Sequence, residues 1–528
     1  MAIKSYLLAT TLATISGCWS GLAAAADAPT DKRPPEATTI EEVTVTARRV
    51  QENLQRSPVA VTAISAEQLT ALHPHDLSDL NQIAPNFRIQ GSSSIFRNAS
   101  IAFARGIGYN NIDGTLDPAL GVTLDGVPYL RNIGALQNMF DLAGVEIVLG
   151  PQGTLYGKNT IAGVMNITTQ KPKLNELEAY AWARYGNLGR RDVELTANIP
   201  LSSTLAARFA FQSQSSDGPY KNVYVDPLTK TPTGPHVGGD DTKSARLSVR
   251  WEPNAKFDLT AVGTMLRNRS DSVGGTNASP PASLGSLLLG HAGLGYPGGP
   301  TDPFLVERKW PSADHFDLDG VTVEGRYHAN GFDIISVSNY MHDRTPKNYD
   351  DFAYTGLLNN YAVVGHKQYS SELRAQSTHD GPLQWVAGGF YDHGYYDYGQ
   401  SFSNFIPVVL GAPAPTVSNQ RIFQWSHSLS AFGQADYAVT DKLQLTAGVR
   451  ALTETKRALN YASFTGPATL DLSRWPPANI IRAKKTWDAV TYRLGGKYQF
   501  TDDLMAYVSY STGFHSSGFH SAAQAGAT

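Results

Sequence analysis

The chain has 528 residues, 41% hydrophobic and 17% charged, with a formal net charge of -3. That balance lacks the basic excess of a nucleic-acid binder, so no nucleic-acid partner is expected. The single cysteine, Cys18, leaves no material for a disulfide framework or a cysteine metal site.

Lys4 precedes an apolar stretch from Tyr6 to Ile15, and small residues follow, ending in Ala24-Ala25-Ala26. This pattern predicts an export signal over residues 1–26. Ile15-Ser16-Gly17-Cys18 also has the form of a lipoprotein cleavage box, and either reading exports the chain. Residues 27–39 are polar and Pro-rich, as expected of a flexible linker. Residues 40–49 then carry a short β-branched run: Glu41, Glu42, Val43, Thr44, Val45, Thr46 and Ala47. Two readings are open: the first strand of the following domain, or a segment that adds itself to the edge of a partner's sheet.

Residues 50–172 predict a compact α/β domain. Ser65-Ala66-Glu67-Gln68 has the form of a capping box, and Asp76 is placed to cap a second helix bearing Leu77, Leu80 and Ile83 on one face. Short strands follow at Ile101–Gly106, Gly121–Pro128 and Val145–Gly150. Asp125-Gly126 is a hairpin signal.

From residue 178 the pattern becomes period 2. Val193, Leu195, Ala197 and Ile199 alternate with Asp192, Glu194, Thr196 and Asn198. Leu443, Leu445, Ala447 and Val449 alternate with Gln444, Thr446, Gly448 and Arg450. No downstream stretch reaches the length of an apolar membrane helix, so any membrane crossing is made by strands. Short turns, such as Ala329-Asn330-Gly331, Asp380-Gly381-Pro382 and Thr440-Asp441, alternate with long loops over 215–241, 269–316, 343–364, 397–422 and 457–487. Turns at one end and loops at the other are the asymmetry of an outer-membrane barrel. Gly (48) and Tyr (25) are abundant, which suits turns and aromatic girdles, although a soluble β-sandwich has the same composition.

Val145-Glu146-Ile147-Val148-Leu149-Gly150-Pro151-Gln152-Gly153-Thr154-Leu155-Tyr156-Gly157-Lys158-Asn159-Thr160, with Arg105-Gly106 and Leu124-Asp125-Gly126, closely resembles the plug of TonB-dependent outer-membrane receptors. Glu41 to Ala47 resembles their TonB box. The resemblance implies a mainly β fold, with an N-terminal α/β plug at 50–172 inside a transmembrane antiparallel β-barrel over 178–528. It implies import of a scarce small molecule, with a ferric siderophore as the default cargo. The implied partners are TonB with its inner-membrane energising complex, and outer-membrane lipid. The resemblance makes Arg105 and Glu146 candidate buried ion-pair partners tying plug to barrel, with a solvated role the alternative for either. Gly150, Pro151, Gln152, Gly153 and Gly157 complete the plug motif. Leu149 departs from the family's usual arginine, which removes one plug–barrel ion pair or moves it elsewhere.

About thirteen strands are expected here against about 22 in plugged transporters, so the barrel reads as incomplete and the chain as truncated at its C-terminus. A passive channel and a truncated relative that no longer transports are the competing readings. No catalytic motif of the G-x-S-x-G or H-E-x-x-H kind occurs, and the histidines are scattered, so no enzyme activity, metal or cofactor is expected. Tyr349, Tyr354, Tyr361, Tyr395, Tyr396 and Tyr398 suit either ligand stacking or an interfacial girdle.

Overall fold

The computed structural model describes residues 44–46, 48–50, 52–91, 99–110, 114–134, 139–223, 236–271, 302, 304–306, 313–351, 358–404, 416–465, 480–502 and 504–519. The expected export signal, the linker and Cys18 lie outside these residues.

The N-terminal part is built on a five-stranded sheet in the spatial order Val61–Ser65, Leu142–Leu149, Gly163–Thr169, Leu120–Leu124, Val127–Pro128. Gly163–Thr169 runs parallel to Leu120–Leu124 and antiparallel to Leu142–Leu149. Helix α1 (Ala66–Leu72) opens on the capping box, in which the Ser65 hydroxyl accepts from Gln68 N–H and the Gln68 side chain accepts from Ser65 N–H. The helix expected after Asp76 forms as a 3-10 segment, Leu77–Gln82, capped by Asp76. Its Leu77 and Leu80 pack with Ile64, Ile89, Val145, Ile147, Met165 and Ile167 in one buried cluster. Asp125 and Gly126 both take positive φ, 50° and 80°, the backbone that a two-residue I′ hairpin requires.

The rest forms one antiparallel sheet of thirteen strands in sequence order. These are β1 Glu178–Gly186, β2 Arg190–Ser202, β3 Leu205–Ser216, β4 Asp240–Asn254, β5 Phe257–Ser270, β6 Ala313–Ala329, β7 Phe332–Asp351, β8 Leu358–Ser377, β9 Leu383–Asn404, β10 Thr416–Ala438, β11 Leu443–Thr465, β12 Ile480–Thr501 and β13 Leu504–Ser511. Among the described residues β1 and β13 are the sheet's edges and do not pair with each other. The strand count agrees with the sequence reading.

The strands run further than expected. β9 reaches Asn404 and β10 begins at Thr416, so most of 397–422 is ladder rather than loop. Hydrogen-bonded pairing continues where both faces have become polar and the alternation that marks a strand in sequence has faded.

The sheet curves around the N-terminal part. Arg208 of β3 bonds Asp141, Gln368 of β8 donates to the Pro128 carbonyl, and Gln424 of β10 donates to that of Thr115. Arg493 of β12 reaches the Pro58 carbonyl. Many side chains facing this plug are polar and buried, among them Gln212, Ser244, Arg246 and Gln424, while apolar ones such as Phe316, Leu318 and Ile422 join its core. Those facing away are apolar and exposed: Leu247 54%, Leu373 58%, Leu429 59% and Val490 63%. A water-soluble sheet would bury these residues; a lipid-facing wall displays them.

Two aromatic belts bound that wall. Trp251–Phe257, Phe332–Trp385 and Tyr498–Phe500 lie toward the short turns. Tyr369–Tyr391 and Tyr395–Trp425 lie toward the long connections. Trp385 and Tyr395 stand ten residues apart on β9. At a rise of about 3.3 Å per residue, and with the strand tilted, that separation matches an apolar band about 25 Å tall.

Candidate functional site: the plug, its coupling segment and their ties to the wall

The segment resembling a coupling box is partly described: Glu41, Glu42, Val43 and Ala47 lie outside the described residues. Thr44–Val45 forms a two-residue antiparallel ladder with Glu52–Asn53, with Thr44 opposite Asn53 and Val45 opposite Glu52. This run, which has no evident partner in the sequence, is thus held within the chain. The backbone N–H and the hydroxyl of Thr46 both donate to one Glu146 carboxylate oxygen, at 2.5 and 3.0 Å. Burial pushes the Glu146 carboxyl above its usual range, and the bonds from Thr46 and Asn166 offset part of the shift. Glu146 therefore holds Thr46 and, among the described residues, makes no ion pair with the wall. Arg105 also corrects an expectation. With Gly106 it forms the positive-φ turn after Ser100–Ala104, its side chain is exposed, and among the described residues it makes no ion pair.

Two neighbours of the coupling segment make the ties that Arg105 does not. Arg48 pairs with Asp436 of β10 and, at 3.3 Å, with Glu52. Arg49 reaches Glu372 of β8 at 3.3 Å and lies over the Tyr156 ring at 4.6 Å. Leu149 itself packs against the plug core. The sequence signal for these ties is the Arg48-Arg49 pair directly after the β-branched run.

The glycine-rich motif forms the plug's deepest contact with the wall. Gly150 N–H donates to the Ala162 carbonyl, and Gln152 N–H donates to that of Thr160. The Pro151 carbonyl accepts from Ser511 at 3.1 Å, and Gly153 begins a single helical turn, Gly153–Tyr156, beside Thr512. Gly157 has φ +83°, where a side chain is strained, and a Cβ there would stand 2.9 Å from the Arg450 guanidinium and push that side chain aside. Next to it Lys158, missed in the sequence reading, bridges Asp392 of β9 at 2.8 Å and Glu454 of β11 at 2.7 Å. Both carboxylates are fully buried. Burial alone would discharge Lys158, but the two carboxylates outweigh it and hold its ammonium above the usual lysine range. Asp117 continues the cluster, pairing with Arg131 at 2.7 Å and with Lys456 of β11 at 2.8 Å.

At the far end of α1, His75 meets Asp240 of β4, with Nε2 and Oδ2 2.5 Å apart. Burial lowers the His75 pKa, yet the hydrogen bonds and charges of Asp240 and Asp76 reverse this and raise it to about 9. The six tyrosines divide. Tyr396 and Tyr398 point at the plug and are buried, Tyr361 and Tyr395 lie on the outer wall, and the side chains of Tyr349 and Tyr354 lie outside the described residues. An open cavity of about 660 Å³ lies toward the short turns, lined by Arg48, Arg49, Glu52 and Asp125 on one side and Glu324 and Arg374 on the other.

The TonB dependent receptor-like, beta-barrel family model matches residues 264–527, and the TonB-dependent Receptor Plug Domain model matches residues 53–164. The chain belongs to the TonB-dependent receptor family. These are transport receptors of the outer membrane, and the protein is an outer-membrane protein. Among its relatives are the pesticin receptors of Yersinia enterocolitica, 24% identical over 89% of this chain and 62% of the relative, and of Yersinia pestis, 23% identical over 92% and 65%. The chain therefore spans less than two thirds of the length of these relatives. The ferric yersiniabactin uptake receptor FyuA from Yersinia pestis has a similar fold, with a TM-score of 0.73 at 19% identity, covering 89% of this chain and 67% of that one. The siderophore receptor PiuA from Acinetobacter baumannii matches with a TM-score of 0.64 at 16% identity, over 88% and 65%.

Proposed function

We propose that this receptor imports a ferric-siderophore-class iron chelate across the outer membrane, driven by TonB and its inner-membrane energising complex. The observation that carries the reading is the way residues 44–49 are held. A two-residue ladder and one carboxylate retain Thr44–Thr46, and the next two side chains, Arg48 and Arg49, are ion-paired to the wall. TonB captures residues 41–47 by strand addition, where backbone hydrogen bonds supply the affinity. A pull from the periplasm first opens the Thr44–Val45 ladder and the Glu146 bonds. It then loads the Arg48–Asp436 and Arg49–Glu372 pairs and opens the cavity beside them. The work is mechanical, so no side chain is assigned a covalent role. The siderophore receptors among the relatives and fold neighbours support the cargo class.

Deleting residues 40–47 tests the reading. Cells carrying the variant should bind a radio-iron siderophore complex as wild type does and take up none of it. Uptake that persists after the deletion refutes TonB coupling and favours a passive channel. Wild-type cells that neither bind nor import any ferric siderophore refute the cargo.

A further inference from the structure

Arg450 of β11 is a buried cation without a carboxylate of its own. It is 3% exposed, and among the described residues it makes no ion pair. Its Nη2 donates to the Ser430 hydroxyl at 2.6 Å, while its Nε has no acceptor. The Phe390 and Phe432 rings lie 5.6 and 5.1 Å from the guanidinium carbon, and the backbone of Gly157 closes over it from the plug. The carboxylates near enough to act on it are Glu372 and Asp392, and both are already matched. Glu372 is bonded by two guanidinia, Arg49 at 3.3 Å and Arg374. Asp392 shares Lys158 with Glu454, and Asp117 holds Lys456 and Arg131, so that cluster sets three cations against three carboxylates. The positive charge of Arg450 is therefore in excess where plug meets wall.

A small cavity of about 30 Å³ adjoins it, lined by Arg450, Ser428 and Ser430 from the wall and by Tyr156 and Lys158 from the plug. Asp392 lines it as well, with its charge committed to Lys158. A guanidinium buried without a counter-charge carries a desolvation penalty that two ring faces offset only in part. Donors for a counter-ion stand beside the cavity: Arg450 Nε, the Ser428 hydroxyl, and the third N–H of Lys158, whose other two meet Asp392 and Glu454. A cavity needs about 10–15 Å³ to hold one water, so this one admits one or two particles of that size and excludes a phosphate or a carboxylate compound. We infer that the cavity binds a monoatomic anion, chloride, between Arg450 of the wall and Lys158 of the plug. The anion completes the charge balance there and adds a tie that exists only while the plug is seated. The inference rests on the plug–wall contact and on neither the cargo nor TonB coupling.

The test follows thermal unfolding of the detergent-solubilised full chain as chloride replaces gluconate at constant ionic strength. An anion that binds only the folded state raises the midpoint with the logarithm of its concentration once that exceeds Kd. Chloride and bromide should each raise it by on the order of 2 °C per tenfold increase, and gluconate, too large for the cavity, should not. Arg450→Gln should abolish the chloride dependence, whereas Arg267→Gln, at a guanidinium already paired with Asp319, should keep it. Heat-modifiable migration checks the fold of the variant. Should Arg450→Gln fail that check, Ser428→Ala should still weaken the dependence, and wild-type crystals soaked in bromide should show an anomalous peak between Arg450 and Lys158. Equal midpoints in chloride and gluconate would show that the cavity holds only water and would overturn the inference. So would a dependence that survives Arg450→Gln, one unchanged in Ser428→Ala, or bromide peaks elsewhere in the protein with none in the cavity.

Discussion

The plug and the wall bury opposite halves of their sequences. In the plug, Leu77, Leu80, Val145 and Ile147 have no exposed surface, as in any water-soluble domain. In the wall, Leu429 is 59% exposed while its neighbour Ser430 is 5% exposed. The plug folds by removing apolar surface from water. The wall satisfies its backbone groups along its ladders and leaves its outward apolar side chains to lipid. Where the two regions meet, apolar contacts such as Val127 with Ile335 and Leu155 with Phe432 stand beside ion pairs and hydrogen bonds, and the ion pairs break in discrete steps.

The largest expected effect comes from that interface. Lys158→Ala would leave Asp392 and Glu454 buried without their shared cation, at a cost of about 3–5 kcal/mol to plug docking. Outer-membrane leakiness to large antibiotics should rise, and the plug should exchange its amides faster. Unchanged permeability would show that apolar packing, not charge, seats the plug. On the wall, Leu429→Arg places a cation on the lipid face between the belts. It should destabilise the protein by about 2–4 kcal/mol in reversible refolding into bilayers. A cost near zero would mean that this face is wet. The smallest effect concerns His75. Its pKa is raised to about 9 in the fold from an ordinary value of 6.5, so its contribution is fully present below pH 6.5 and fades as pH rises through 9. His75 retains 27% side-chain exposure, so about 2 kcal/mol is the scale of the effect. Thermal unfolding should weaken over that window in wild type and lose the slope in His75→Gln. A slope that survives the change would place the pH dependence elsewhere.

Local signals in the sequence located several elements. The Ser65–Gln68 capping box forms, Asp125-Gly126 takes its hairpin, and the alternation from residue 178 becomes a thirteen-stranded sheet. Errors arose where a residue's role depends on a partner far along the chain. Glu146, a candidate partner of the wall, holds Thr46, 100 positions earlier. Lys158 went unnoticed because its carboxylates lie 234 and 296 positions away. Arg48 and Arg49 find their carboxylates, Asp436 and Glu372, more than 300 positions along the chain.

The sequence by itself determined which face of each strand is wet, where the chain turns, and that a globular stopper precedes the wall. Those properties are encoded in spacings of a few residues. Only the tertiary structure decided which charges join plug to wall. A charge pair depends on separation in space, and residues hundreds of positions apart become neighbours only after the sheet has curved around the plug.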